Sequence, residues 1–455
     1  MSTTTTNTKS ARLHFLCFSH NSNVLKRCSA ICQEFEYSFL AQAATDALMD
    51  DDKPYEQVHF ALIDASEVEK KEDIIGNVQV ARQFLKDTFI FVLVGKRIPS
   101  DAADFIKKSG ANLVMMESAF FDTSRLEYVA SQVIRASYVP VKVSEFKKDV
   151  TLDFTLFHLM PLNQKMIPVL PKGTQLTEGR FKKFEGVGEV YVRREETDLY
   201  KTYIEKNQDL SAQGLLSRCR AQYLSFCHSH AQLIFMLIDQ ADAASYKEGK
   251  WLYERCEVLA KDLLITLSSV GEAWDIVNNS SLGEFGSVER SPTVAAYSGL
   301  FSLMSSIDEP VDVMIAGLLS DVGMLELSPL ITKKMRQGQS VGTLNADELA
   351  DYHKHPVLSV NRCLEKKLTL KDSLKELILC THEKANAKGF PQQRIKDKIP
   401  MGAMLLQFAE MLDRATMLKM GQARAPLADI RKKLVEQETM NADVFSVEFI
   451  TKLVI

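Results

Sequence analysis

The sequence predicts a multidomain protein with an N-terminal α/β domain, a small α+β middle module and an all-α C-terminal domain. Three observations carry that expectation. At 455 residues the chain exceeds one ordinary hydrophobic core. Residues 11–140 alternate short apolar runs with helix-period segments, and beyond residue 206 nearly every apolar pattern has helical spacing. Apolar residues make up 46% and charged residues 25%, as in globular domains, and a net charge of −4 gives no general reason to bind nucleic acid or an acidic membrane.

Within residues 11–140, "RLHFLCF" (12–18), "VHFALID" (58–64), "FIFVLVG" (89–95) and "ANLVMM" (111–116) have the continuous apolar character of buried parallel strands. Helices are expected between them near 23–33, 41–50, 73–86, 100–109 and 122–136. Residues 1–10 lie in the polar opening "MSTTTTNTKSAR", which lacks the apolar core of a signal peptide and reads as a disordered lead-in. No apolar run approaches the roughly eighteen residues of a membrane span. The eight cysteines form no CxxC pair and sit in apolar contexts, which suggests reduced, buried thiols in a cytoplasmic protein.

Asp64 closes "FALID" at the carboxyl edge of a central strand, where response-regulator receiver domains keep their phosphoacceptor. The length and strand order of 11–140 resemble a receiver. That family also needs an acid pair for Mg²⁺, a hydroxyl and a lysine. Here Ser19 and His20, Gly95 and Lys96, and Glu117 and Ser118 stand at those points. The resemblance therefore implies a pseudo-receiver used for contacts, with Asp64 a vestigial phosphoacceptor position.

Residues 141–205 read as strands broken by Pro and Gly turns with a helix near 177–184. From 206 to 455, helices are expected near 208–241, 247–278, 292–306, 311–320, 345–365, 371–383 and 399–420. "CHSH" (227–230) reads as a helix surface, and His353 as an exposed neighbour of His355.

Five stretches then follow in order: "AGLLSDVGM" (316–324), "SPLITKK" (328–334), "LNADELADYHKHP" (344–356), "THEKANAKGFP" (381–391) and "LQFAEMLDRAT" (406–416). Their order and spacing over about 285–420 resemble the HD-GYP family, helical metal-dependent phosphohydrolases that typically cleave cyclic di-GMP. In that chemistry imidazoles and carboxylates converge on two or three metal ions, which acidify a water and clamp the phosphate.

Position by position, the resemblance implies a depleted site. Asp321, His355, His382 and Glu410 stand at retained ligand positions. Gly286, Arg290, Ser320 and Thr381 stand where family ligands are lost, and Met324 replaces a phosphate-binding lysine. The family's Asp-Gly pair reads Asn386 and Ala387, and its Gly-Tyr-Pro loop reads Gly389, Phe390 and Pro391. Four ligands leave room for one iron, manganese or zinc ion, or for none, but not for a two-metal clamp. Arg290, at the first-histidine position, is expected to point toward Asp321 and Glu410 as a fixed cation in place of metal. Lys388, Arg394 and Lys396 in "KGFPQQRIKDK" form a possible ligand loop with Gly389 and Pro391.

Three functions follow as expectations. The leading one is a signalling protein whose non-hydrolytic HD-GYP-like domain contacts signalling proteins or senses cyclic di-GMP. The others are a single-metal cyclic di-GMP phosphodiesterase and a scaffold that binds no nucleotide. "AQLIFMLID" (231–239) marks residues 206–280 as core or as a homodimer surface.

Overall fold

The computed structural model describes residues 14–49, 58–99, 101–160, 165–186, 188–241, 243–271, 276–277, 287–336, 340–416, 427–441 and 443–453. The lead-in 1–10 and Gly286 lie outside the described residues.

The first region is a parallel five-stranded sheet in the order β2-β1-β3-β4-β5. Its strands are β1 (Phe15–Phe18), β2 (Phe39–Gln42), β3 (Phe60–Ala65), β4 (Phe89–Val94) and β5 (Leu113–Met116). Helices α1 (Ser22–Glu34), α2 (Lys71–Phe84), α3 (Ala102–Lys108), α4 (Glu117–Asp122) and α5 (Arg125–Ala130) connect and flank them. This is a flavodoxin-like order, whose functional edge lies at the carboxyl ends of the strands.

Strand side chains alternate between faces. Leu16, Ile63, Ile90 and Val92 pack under α2 and α3, whereas Phe15, Phe60, Phe91 and Met115 join the core that continues into the helical half. Both faces are thus buried, which explains the unbroken apolar runs. One strand departs from expectation: β2 occupies 39–42, and 45–49 form a 3-10 turn where a helix was expected over 41–50. As a half-buried edge strand, β2 lacks the continuous apolar signature of the others.

An antiparallel sheet follows in the order β6-β9-β7-β8, from β6 (Tyr138–Lys142), β7 (Leu156–Met160), β8 (Lys165–Leu170) and β9 (Glu189–Arg193). Helix α6 (Glu178–Glu185) sits within it in sequence, and α7 (Thr197–Asn207) leads out. The remainder is helical: α8 (Ala212–Ile238), α9 (Ala243–Ser269), α10 (Ser287–Ser305), α11 (Pro310–Leu319), α12 (Pro329–Arg336), α13 (Ala346–Tyr352), α14 (His355–Glu365), α15 (Asp372–Cys380), α16 (Met401–Thr416), α17 (Leu427–Asn441) and α18 (Val447–Leu453).

The helix expected over 345–365 is two helices. Asn345 and Glu348 form a capping box that starts α13. Pro356 cannot donate a backbone N–H, so the chain restarts there as α14 with His355 at its head.

Helix α8 is central rather than peripheral. Cys227, Ser229 and His230 of "CHSH" are buried, correcting the helix-surface reading. All eight cysteines are free and buried. No helix among the described residues is long and apolar enough to cross a membrane.

The α/β region touches the helical half directly. The Ser124 hydroxyl donates to the Met324 carbonyl at 2.9 Å, the Ser124 N–H donates to the Leu325 carbonyl at 3.2 Å, and Arg125 pairs with Glu326.

Candidate metal centre

The site is assembled from three helix ends. The apolar helix α11 runs out at Ser320, and Asp321 opens the 3-10 turn 322–326. That turn lies tight against the head of α14. A Cβ on Gly323 would sit 2.0 Å from the His355 carbonyl oxygen, so no larger residue fits. The contact is stitched by Ser359, whose hydroxyl accepts from the Gly323 N–H at 2.7 Å and donates to the Ser320 carbonyl at 2.6 Å. Asp321 and His355 are thereby brought together from separate helices.

His382 follows α15 and is held by the loop after it. Glu383 accepts backbone N–H groups from Gln392 at 2.6 Å and Arg394 at 2.8 Å, folding residues 384–394 back on themselves. Gly389 is required there, since a Cβ would meet the Lys384 nitrogen at 2.3 Å. Phe390 then lies between two imidazoles, stacked on His382 at 4.9 Å and on His353 at 4.2 Å. His353 is therefore half-buried against Phe390, not simply exposed. Ala387 has φ +60°, the left-handed conformation that favours glycine.

The polar groups converge closely. His355 Nε2 is 2.9 Å from His382 Nε2 and 3.5 Å from Asp321 Oδ1, and these three ligand atoms all lie within 4.8 Å of one another. His355 Nδ1 is 2.6 Å from the Tyr352 carbonyl, which makes it the donor and leaves Nε2 its lone pair. Burial and the neighbouring His382 hold His355 well below its ordinary range. Burial, then Arg414, pushes His382 down to about 3. Both rings are neutral at physiological pH, the state a metal requires.

Three ligands on a metal at about 2.1 Å, with bond angles between octahedral and tetrahedral, stand about 3.0–3.4 Å apart. The separations of 2.9 and 3.5 Å bracket that range and the third is no more than 4.8 Å, so Asp321, His355 and His382 form a possible three-residue metal site once the side chains close on an ion. The same histidine pair also satisfies an N–H···N hydrogen bond.

Glu410 lies beside this cluster. Its Oε2 is 3.6 Å from His382 Nδ1, and its other oxygen accepts from Arg414 one turn along α16. Arg290, expected to meet Asp321 and Glu410, has Asp413 as a partner. It is buried and grips Asp413, with Nε 2.5 Å from Oδ2 and a second nitrogen on Oδ1. A planar fork matches a single carboxylate in two-point fashion, and buried Asp413 supplies that partner. A cation that lies beside Glu410 is Arg414. Its i,i+4 spacing from Glu410 is readable in "AEMLDRA", as is Asp413 three residues on.

The remaining positions are spread around the cluster. Ser320 and Met324 are buried in the turn, and the Thr381 hydroxyl donates to the Leu377 carbonyl at 3.0 Å. Asn386 Oδ1 accepts from the Lys388 N–H at 3.0 Å. Phe390 and Pro391 line an open cleft of about 340 Å³ with His353 and Lys354. Lys388 and Lys396 are exposed outside its lining, and Arg394 is engaged by Glu376, Gln392 and the Lys398 carbonyl.

Asp64 sits at the end of β3 with a different set of neighbours. Its carboxylate accepts from the Ser19 hydroxyl at 2.6 Å, the Ser66 hydroxyl at 2.7 Å and the Ser66 N–H at 3.1 Å. Gly95, at the end of β4, lies so near the Ser66 carbonyl that a Cβ would approach it to 2.0 Å.

No curated protein matches the chain. Among solved structures it is similar to Bd1817, a HDG"Y"P protein from Bdellovibrio bacteriovorus, with 20% identity and a TM-score of 0.45 over 70% of this chain and 98% of that one. Residues 275–439 match the family model described as HD domain. The helical region that carries Asp321, His355 and His382 is an HD domain.

Proposed function

We propose that this is a regulatory signalling protein whose HD domain is a degenerate, non-hydrolytic HD-GYP domain, working through protein contacts or cyclic di-GMP sensing. The observation that carries this reading is the size of the ligand cluster. Among the described residues three groups converge, while Glu410 is engaged by Arg414. A phosphodiesterase clamp needs more donors than that to hold two ions at bridging distance. Met324 and Phe390, in place of lysine and tyrosine, bring neither a cation nor a hydroxyl to the mouth of the site.

Asp321, His355 and His382 would hold one iron, manganese or zinc ion, which would supply an anchor for an anion and a polarised water. The fixed neutral imidazoles favour binding, and the ring of Phe390 shields them from bulk water. Metal analysis of protein purified without chelator should give no more than one ion per chain, lost in His382→Ala. Cyclic di-GMP should remain intact after incubation with Mn²⁺ or Fe²⁺. Turnover abolished by His382→Ala would establish the single-metal phosphodiesterase instead.

The rest of the chain fits a regulatory role. Residues 11–140 would act as a pseudo-receiver, 141–205 as a connecting module and 206–455 as the output domain. Helix α9 leaves Trp251, Val258 and Ile265 exposed at seven-residue spacing, a stripe suited to a second copy of the chain. The 231–239 stretch is largely core, so a homodimer would form through α9, and free buried thiols suit a cytoplasmic setting.

A further inference from the structure

A second site shares no lining residue with the HD cluster. Between the base of the parallel sheet, the antiparallel sheet and α8 runs a cleft of about 580 Å³, within the range that holds small molecules. Its lining includes Arg82, Lys86, Arg193 and Arg194 against only Asp87 and Glu195, a net charge of +2. Much of the rest is aromatic, with Tyr138 edge-on to Phe157 at 4.9 Å and Phe89 packed on Phe235 at 5.4 Å.

Arg194 is the unusual member. It is 8% exposed, yet among the described residues no carboxylate pairs with it. Its guanidinium donates to the Gln132 side chain and to the Cys227 carbonyl at 2.9 Å, both uncharged, and its Nε has no hydrogen-bond partner. The nearby acids are committed elsewhere: Glu195 to Arg193, and Asp198 to Arg255 and Ser225. Burying a cation without a counter-charge is costly, and proteins seldom keep one unless an anion completes it. His228 faces the same cleft. Burial, then Arg194, pushes it down to about 3, so it adds a neutral ring and no competing charge.

We propose that this cleft binds an aromatic phosphate ester of mononucleotide size, its phosphate on Arg194 and its ring among Tyr138, Phe157 and Phe235. A dianionic phosphate matches the net charge of the lining, and a guanidinium suits phosphate oxygens in two-point geometry. The aromatic walls favour a flat ring over an aliphatic body. The site is independent of the metal cluster and of the reading given to the HD domain.

The test is calorimetric titration of the full chain with AMP, adenosine and inorganic phosphate, each into wild type and variants. AMP should bind saturably, with adenosine and phosphate each at least about tenfold weaker. Arg194→Met should weaken AMP by about 10- to 100-fold, the loss of a charge-assisted contact. Gln232→Glu leaves the bonds of Arg194 in place but adds an acid to the cleft lining, and should weaken AMP similarly even if Arg194→Met folds poorly. His382→Ala should leave AMP binding unchanged. No saturable AMP binding at millimolar ligand overturns the proposal, as does affinity unaltered by Gln232→Glu or lost in His382→Ala. Phosphate binding as tightly as AMP overturns the aromatic part of the ligand.

Discussion

Asp64 and Asp321 each end an apolar element, at the carboxyl edge of β3 and just beyond α11, and each resembles a metal-dependent family's acid. Their surroundings differ. Asp64 is met by two serine hydroxyls and a backbone N–H, neutral donors that satisfy a carboxylate without any ion. Asp321 is met by a buried pair of neutral imidazoles whose spacing still suits a cation. Hydroxyls hold a carboxylate in a hydrogen-bonded corner, whereas paired imidazoles suit either a hydrogen bond or an ion.

The largest effect comes from attacking the frame around the second acid. Arg290→Leu leaves the buried Asp413 carboxylate unpaired and should cost about 3–5 kcal/mol, read by urea unfolding. A cost under about 1 kcal/mol would show that the Arg290–Asp413 pair does not support the HD cluster.

Acid sensitivity separates the regions next. His230 is buried, its Nε2 3.1 Å from the Leu318 carbonyl just before Asp321, and burial pushes it down from 6.5 to about 3. A folded value below the unfolded one means that stability present above about pH 6.5 is lost as pH falls toward 3. His230 alone should account for about 2 kcal/mol between pH 7.5 and pH 5. A melting temperature in His230→Gln that falls as steeply as wild type over that range would refute this.

The corner at Asp64 should respond more weakly. Asp64→Ala should cost about 1–2 kcal/mol in thermal or urea unfolding, as hydrogen bonds are lost at a half-buried group. Acetyl phosphate with Mg²⁺ should leave wild type unlabelled by mass spectrometry. A phosphorylated Asp64 would erase the contrast between the two acids. The smallest effect is a gain: Ala387→Gly should stabilise by about 0.5–1 kcal/mol, since φ +60° strains alanine.

Much of this was legible in the chain because it rests on local pattern. The parallel strands announced themselves as apolar runs, and Asp321, His355 and His382 as motif positions in order. What was hidden depends on contacts between distant segments. Edge strand β2 has no burial on its outer side to mark it. That Arg290 grips Asp413 depends on α16, far along the chain from it. The cleft at Arg194 draws on three regions of the chain, and no spacing in the sequence brings them together. Gly323 is intermediate: its motif was visible, but its need to admit the backbone of α14 was not.

The turn after Asp321 has a consequence for how the protein can be divided. Its carbonyls at 324 and 325 are held by Ser124, and its Glu326 by Arg125, both from the α/β region. The acid's position is thus referenced to two bodies at once, like a bracket bolted to two walls. The smallest piece that presents Asp321 to the two histidines as seen here is therefore not the HD domain alone but that domain together with residues 124–125 and the sheet beneath them.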